Sequence, residues 1–179
     1  MDYPRDAAVP THIHSFMRFC NILAAKNIGN IGVPASGAWG TANTAIYIPV
    51  RIPWPYVVRR MFWVNGSAAG GNCDIGLYSI GGGKIYTAGS TAGSGNTAPQ
   101  YVTPGTEILL SPGVYFIAFA ADNTTANRLT LSALTAASGR PVGYYQQASA
   151  FALPSPASFA AYNAVGIPLV GITNSSSGF

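Results

Sequence analysis

Residues 71–88 carry the clearest structural signal in the chain, the pattern of a β-hairpin. In its first half apolar residues alternate with polar or small ones, which places Cys73 in a core and Asp74 on an exposed face. This period of two is typical of a strand with one buried face. Residues 81–83 are all glycine, for which positive φ angles carry no steric cost, and a short return strand follows. The pattern therefore predicts a hairpin with a glycine turn and one exposed acid.

Strand signals recur along the rest of the chain at spacings of about a dozen residues. Residues 114–121 give the most regular alternation, and residues 56–64 are predicted to form one long strand. Leu129 and Leu131 are predicted to form the buried face of another strand. Counting gives about eight short strands separated by turn residues. We therefore predict an all-β fold, an antiparallel β-sandwich of the jelly-roll kind, in residues 41–179.

Two segments lack this alternation. Residues 1–40 are rich in Gly, Ala, Asn and Pro, and we predict that they form an extended N-terminal arm. Within the arm, residues 15–26 fit a short helix whose apolar face carries Phe16, Phe19 and Leu23. An arm this apolar needs a surface to lie on, so these three residues are predicted to anchor the chain. Residues 135–165 are also irregular and are expected to be functional or bound to a partner.

The composition limits the function classes. Charged residues make up 8% of the chain and apolar residues 49%, whereas charged residues usually make up about a quarter. A surface this poor in charge is expected to be covered by other proteins. The net charge is +4, but the basic residues are dispersed, so no nucleic-acid partner is predicted. The chain shows no leader pattern and no apolar run of membrane-spanning length, so we expect synthesis and assembly in the cytoplasm without a membrane partner.

The residues that catalysis needs are scarce. A glycosidase needs two carboxylates across one cleft, and Asp74 with Glu107 is the conceivable pair. A serine triad needs a histidine beside an acid, but His12 and His14 both lie in the arm. We therefore predict that the chain is not an enzyme. The acids are Asp2, Asp6, Asp74, Glu107 and Asp122.

Metal or cofactor binding has only weak candidates. His12 and His14 would point the same way on an extended segment, and three copies around a threefold axis would make an octahedral site. One chain alone supplies too few ligands, so two solvent or partly buried histidines are the alternative. Asp74 near Asn72, or Asp122 with Asn123, carries oxygens suited to calcium, but no loop has the full ligand spacing. No cofactor is predicted.

Aromatic and polar residues in the loops are the candidates for ligand or partner contact. Tyr144 and Tyr145 are predicted to be an exposed pair, and with Trp54 they offer rings on which a sugar stacks. The loop tips at residues 67–70 and 122–127, the latter with Asp122 and Asn123, would complete such a site. The alternative is that the large aromatics belong to the core or to an interface.

Four short segments resemble a known type of protein. They are Ile-Pro-Val-Arg-Ile-Pro at 48–53, Met-Phe-Trp-Val-Asn-Gly at 61–66, Gly-Asn-Cys-Asp-Ile-Gly-Leu-Tyr at 71–78 and Ser-Pro-Gly-Val-Tyr-Phe-Ile-Ala-Phe at 111–119. Together they resemble a widespread type of tailed-bacteriophage virion protein, the β-sandwich or jelly-roll modules of head fibres, capsid decorations and tail fibres. The similarity runs from about residue 41 to residue 134 and brings no catalytic residue with it.

The resemblance implies a non-enzymatic virion component displayed on the capsid or tail. Such a protein is expected to be a trimer, to contact other virion proteins, and to be held by the arm in residues 1–40. It would contribute to particle assembly or stability. The alternative is a tail-associated receptor-binding module that attaches to a host surface glycan.

Overall fold

The computed structural model describes residues 12–14, 35–131, 143–163 and 166–177. These residues form strands and irregular connections without a helix, and every ladder among them is antiparallel, which confirms the all-β prediction. The described strands are β1 (His12–His14), β2 (Ala35–Ala38), β3 (Ala45–Ile52), β4 (Tyr56–Val58), β5 (Arg60–Val64), β6 (Asn72–Ser79), β7 (Lys84–Thr87), β8 (Thr91–Ala92), β9 (Pro99–Val102), β10 (Ile108–Leu110), β11 (Gly113–Ala121), β12 (Asn127–Leu131), β13 (Tyr145–Gln147), β14 (Ala160–Ala161), β15 (Ile167–Pro168) and β16 (Val170–Thr173).

The largest sheet has the order β14-β13-β3-β11-β6-β7, and β8 also pairs with β6. At its centre β11 lies between β3 and β6, with Ile117 opposite Ile48 on one side and Leu77 on the other. Apolar residues alternate on all three of these strands, so their inward side chains form one continuous layer. β13 and β14 extend the sheet at the β3 edge, so part of the segment expected to be irregular is strand.

A second layer packs against this sheet and makes the fold a sandwich. It contains a four-stranded sheet, β1-β16-β5-β9, and the pair β4 with β10. β15, β12 and β2 form a further three-stranded sheet. The core between the layers is dense in aromatic rings, and Phe119 lies between Trp39 and Trp63 with centroid distances of 5.3 and 5.9 Å. The jelly-roll connection pattern stays a prediction.

The predicted hairpin is confirmed as β6 and β7 joined by a tight turn. Cys73 faces the core, and the turn closes with Ser79 N donating to Gly83 O at 2.8 Å. Gly82 has a φ of +84°, a conformation that a residue with a Cβ rarely adopts. The glycine run is therefore a turn, as predicted.

The outer face of the largest sheet is also covered, which overturns the prediction for Asp74. Residues 149–159, called here the outer strap, lie over this face and bury Leu153 against Tyr47, Tyr78 and Phe116. Asp74 is 0% exposed beneath the strap. A strand with alternating residues is expected to have one wet face, but here an irregular segment fills that side. Asp74 is thus a buried acid, not an exposed one.

Three further predictions change in detail. Residues 56–64 form two strands, because β4 pairs with β10 while β5 pairs with β9 and β16. On β12, Arg128 and Thr130 are buried and Leu129 is half-buried, whereas Leu129 was predicted to face the core. The described residues also contain more strands than the predicted eight or so, because several strands of two to four residues were not predicted.

Two parts of the segment assigned to the arm are strands. β2 pairs with β12, and Trp39 after it is buried in the core, so residues 35–39 lie within the sandwich. β1 pairs with β16 at the edge of the four-stranded sheet. The predicted helix with Phe16, Phe19 and Leu23 lies outside the described residues.

Candidate functional site

The two loop tips singled out in the sequence meet at one end of the sandwich. There residues 65–71, 93–98 and 122–127 form a single surface, called here the polar tip. Asn127 N donates to Ala68 O at 2.7 Å, and Thr97 N donates to Gly66 O at 2.8 Å. These backbone contacts join three loops that are far apart in sequence. Their convergence is the strongest indication of a site that the fold provides.

Hydroxyl and amide side chains hold the polar tip together. Ser36 Oγ accepts from Ser67 N at 2.7 Å, and Asn127 Nδ2 donates to Ser67 Oγ at 3.1 Å. Asn96 Oδ1 accepts from Ala69 N at 2.7 Å. The surface these groups present is polar but nearly uncharged. Loops fixed in this way are preorganised, so they would lose little conformational entropy when a ligand binds to them.

Asp122 is the one acid of the polar tip, and its oxygens are already engaged. They accept from Asn72 N at 2.8 Å, from Asn72 Nδ2 at 2.7 Å and from Asn123 Nδ2 at 2.6 Å. The bond from Asn123, with smaller contributions from Asn72, lowers the pKa of Asp122 below its ordinary 3.8. Because the carboxylate is satisfied internally, Asp122 and Asn123 act as a loop clamp in this structure. No group of three potential metal ligands occurs within the described residues.

Arg128 lies fully buried beneath the polar tip and was not singled out from the sequence. Its Nη2 donates to Gly70 O at 2.9 Å and to Cys73 Sγ at 2.8 Å, and its Nη1 donates to Asn127 O at 2.9 Å. Its Nε is buried without a partner. Burial raises the pKa of the Cys73 thiol although Arg128 opposes this effect. Arg128 thus fixes the floor of the tip through backbone carbonyls.

The chain accepts backbone strain at the same end. Thr97 has a φ of +53°, which is unusual for a β-branched residue. Such conformations persist only where surrounding contacts impose them, and they concentrate at functional sites. Here the bond from Thr97 N to Gly66 O is one such contact.

The aromatic candidates do not join this site. Tyr144 is 1% exposed and packs on Tyr162, so the prediction of an exposed tyrosine pair is wrong. Tyr145 is half-buried between the largest sheet and the outer strap, against Phe116 of β11 and Phe159 of the strap. Trp54 is partly exposed, but it follows β3 at the end of the strand opposite the polar tip. Tyr144 and Tyr145 are core and strap contacts, as the alternative interpretation held, whereas Trp54 lies on the surface.

The end that contains Trp54 has a different character. β3 ends beside Gly113 of β11, and β11 in turn lies beside Ser79 at the end of β6, so the connections after these strands share one end. Leu109 is 70% exposed and Ile80 is 65% exposed there. The exposed large apolar residues of this surface, called here the apolar end, are Trp54, Ile80, Ile85, Leu109 and Val114.

The remaining candidates stand apart. The backbones of His12 and His14 pair with Thr173 and Gly171, and metal binding by these histidines stays a prediction. Glu107 binds Arg59 at 2.7 Å on the surface, whereas Asp74 is buried, so the two acids do not act as a pair.

No family model, curated protein or solved structure matches this chain. Across the described residues no helix has the length and apolar character to cross a membrane.

Proposed function

We propose that this chain is a non-enzymatic structural module of a bacteriophage virion, seated on other virion proteins by its apolar end. The observation that carries the proposal is the contrast between the two ends of the sandwich. One end gathers exposed Leu, Ile, Val and Trp side chains, and the other is polar and internally bonded. A module with these two ends suits attachment at one and display at the other.

The energetics favour a covered apolar end. Full burial of a Leu or Ile side chain contributes about 1.5–3 kcal/mol relative to leaving it in water. Leu109 and Ile80 are both more than half exposed in the single chain. Exposed apolar side chains gathered at one end of a soluble protein mark interaction sites, and here the exposed charges of Arg51 and Lys84 flank them. We expect trimers of the module to dock in this orientation, with the arm as a second attachment.

The test is incorporation of variants into particles of the phage that encodes the chain. Leu109→Ser with Ile80→Ser removes the two most exposed apolar side chains and should change the folding stability little, since both are on the surface. Thr124→Ala at the polar tip is the matched control. We expect the double variant to fall at least about tenfold in copies per particle by quantitative mass spectrometry, a loss of about 1.4 kcal/mol or more.

Two results would contradict the proposal. One is the absence of the wild-type chain from purified particles. The other is full incorporation of a double variant whose circular dichroism and unfolding midpoint match the wild type.

A second candidate function is receptor binding through the polar tip, favoured by the convergence of the three loops. Hydroxyl and amide groups on fixed loops suit a neutral glycan, which is read through hydrogen bonds. Ser67→Ala with Asn96→Ala should abolish binding on a glycan array, whereas Trp54→Ala at the other end should not. Binding that survives the tip variant would remove the tip from consideration.

A further inference from the structure

The outer strap is held by side chains of the sheet beneath it more than by a strand ladder. Leu153 N donates to Asp74 Oδ2 at 2.9 Å, and Tyr78 Oη donates to Pro154 O at 2.6 Å. Lys84 Nζ reaches Leu153 O at 3.4 Å. These three contacts sit at the middle of the strap. Its closure over the aromatic face therefore depends on a few polar groups.

The floor beneath the strap is shaped for this contact. Gly76 lies next to Asp74 on the same face of β6, and a Cβ at that position would come within 2.9 Å of Leu153 Cδ1. The missing side chain lets the strap come down to the sheet. At the two sides of the strap, Ala150 N donates to Asn43 O at 2.7 Å and Ala157 N donates to Gly82 O at 2.9 Å. The strap is thus pinned at its sides by backbone and at its centre by Asp74.

Asp74 links the strap to a second segment. Its Oδ1 accepts from Gly89 N at 2.9 Å, so one buried carboxyl group joins the strap, β6 and the loop after β7. No salt bridge forms with it among the described residues, although Lys84 lies near enough to stabilise its charge. A buried acid with backbone donors and no close cation is costly to keep charged.

We propose that Asp74 is a proton-sensitive lock on the outer strap, which closes most firmly when this carboxyl group is protonated. Opening the strap admits water to the carboxyl group and uncovers the aromatic face formed by Tyr47, Tyr78 and Phe116. The lock does not depend on the proposed virion role.

The direction of the pH dependence of strap closure follows from the linkage between closure and proton binding by Asp74. Burial raises the pKa of Asp74 above 3.8, and the bonds from Leu153 and Gly89, together with Lys84, offset only part of this. Opening restores the ordinary pKa, so the closed strap binds the proton more tightly than the open one. Closure is therefore strongest below the ordinary pKa and weakens as the pH rises through the raised value. Each unit of pKa increase changes the opening equilibrium about tenfold.

Other titratable groups also face Asp74. They are Lys84 and Tyr86 on β7, Tyr78 on β6 and Tyr47 on β3; Cys73 lies on the opposite face of β6. Burial raises the pKa of Tyr47 to about 12 and raises the pKa of Tyr78 and of Tyr86 as well, so these phenols stay neutral. The strap itself contains only Ser, Ala, Leu, Phe and Pro.

Hydrogen exchange measured by mass spectrometry on the full chain tests the lock. After correction for intrinsic exchange, we expect the protection of peptides covering residues 149–159 to fall as the pH rises from acidic to neutral. Peptides from the centre of β11 serve as the internal reference and should keep constant protection. Asp74→Asn should remove the pH dependence, whereas the control Asp122→Asn, whose carboxylate binds Asn72 at the start of β6 and does not contact the strap, should keep it.

A further variant keeps the proposal testable if Asp74→Asn does not fold. Tyr78→Phe removes the bond to Pro154 but keeps the acid, so protection of the strap should fall at every pH with its pH dependence intact. The proposal is overturned if wild-type strap protection does not change with pH, if Asp74→Asn keeps the dependence, or if Tyr78→Phe loses it.

Discussion

Gly71 lies at the base of the polar tip, where any side chain would collide with Asn123. Replacing Gly71 therefore tests the hydrogen-bond network of the tip. Gly71 has a φ of +60°, and a Cβ there would lie 1.5 Å from Asn123 Nδ2 and 2.8 Å from Asp122 Oδ1. Gly71→Ala must therefore adopt a left-handed backbone and also displace the Asn123 side chain. Displacement breaks the bond between Asn123 and Asp122.

The magnitude follows from these two costs. A left-handed backbone costs an alanine about 1–2 kcal/mol. A hydrogen bond to a charged group contributes about 1.5–3 kcal/mol, and the lower end applies here because Asp122 and Asn123 are partly exposed. We therefore expect Gly71→Ala to lower the free energy of unfolding by about 3 kcal/mol.

Substitutions at Gly89 and Gly81 separate the cost of the left-handed backbone from the cost of displacing Asn123. Gly89 has a φ of +71° with no atom within 4 Å of the position that a Cβ would take, so Gly89→Ala should cost only about 1–2 kcal/mol. Gly81 also has open space and no positive φ, so Gly81→Ala should change the free energy of unfolding by less than about 0.5 kcal/mol. Urea unfolding with unchanged m-values gives all three free energies. If Gly71→Ala and Gly89→Ala agreed within about 0.5 kcal/mol, the network described for the tip would be wrong.

Four further outcomes follow from the described contacts. Phe119→Ala opens a cavity between two buried tryptophan rings and should lower the free energy of unfolding by about 3–5 kcal/mol, measured by denaturant titration. Cys73 is fully buried and its pKa is raised, so it should react with a thiol reagent only at the rate of unfolding. Glu107→Gln should cost less than about 1 kcal/mol in the same titration, because its ion pair with Arg59 is half exposed. The lowered pKa of Asp122 contributes stability that is present above pH 3.8 and lost as the pH falls through the lowered value, so Asp122→Asn should remove that part of the acid sensitivity of the unfolding midpoint.

Alternation of apolar residues was enough to predict the hairpin, the central strand β11 and the glycine turn. These features depend on local chemistry, namely the two-residue period of a strand and the φ freedom of glycine. The same rule failed for Asp74, because alternation assumes that the polar face meets water. Leu153, which lies 79 positions from Asp74 in sequence, belongs to the segment that shields Asp74 from water. The outer strap has no periodic sequence pattern from which this position could be predicted.

The residues of the candidate site likewise divide into those that could be predicted from the sequence and those that could not. Residues 67–70 and 122–127 were recognisable as polar loop tips, and their meeting follows from the antiparallel pairing of β6 with β11. Arg128 was missed because a basic residue on a strand, next to a leucine, fits an exposed position better. Tyr144 was misplaced because loop aromatics are judged by the segment around them, and this segment folds back onto the sandwich.

The buried charges bear on how this chain meets its surroundings. Asp74 is satisfied by the backbone N–H groups of Leu153 and Gly89, and Arg128 by the carbonyls of Gly70 and Asn127. Both use their polar groups to hold irregular segments onto the sheets, so neither helps to keep the surface hydrated. The surface is consequently poorer in charge than the 8% composition suggests. That deficit strengthens the argument that other proteins cover the exposed apolar side chains of the apolar end.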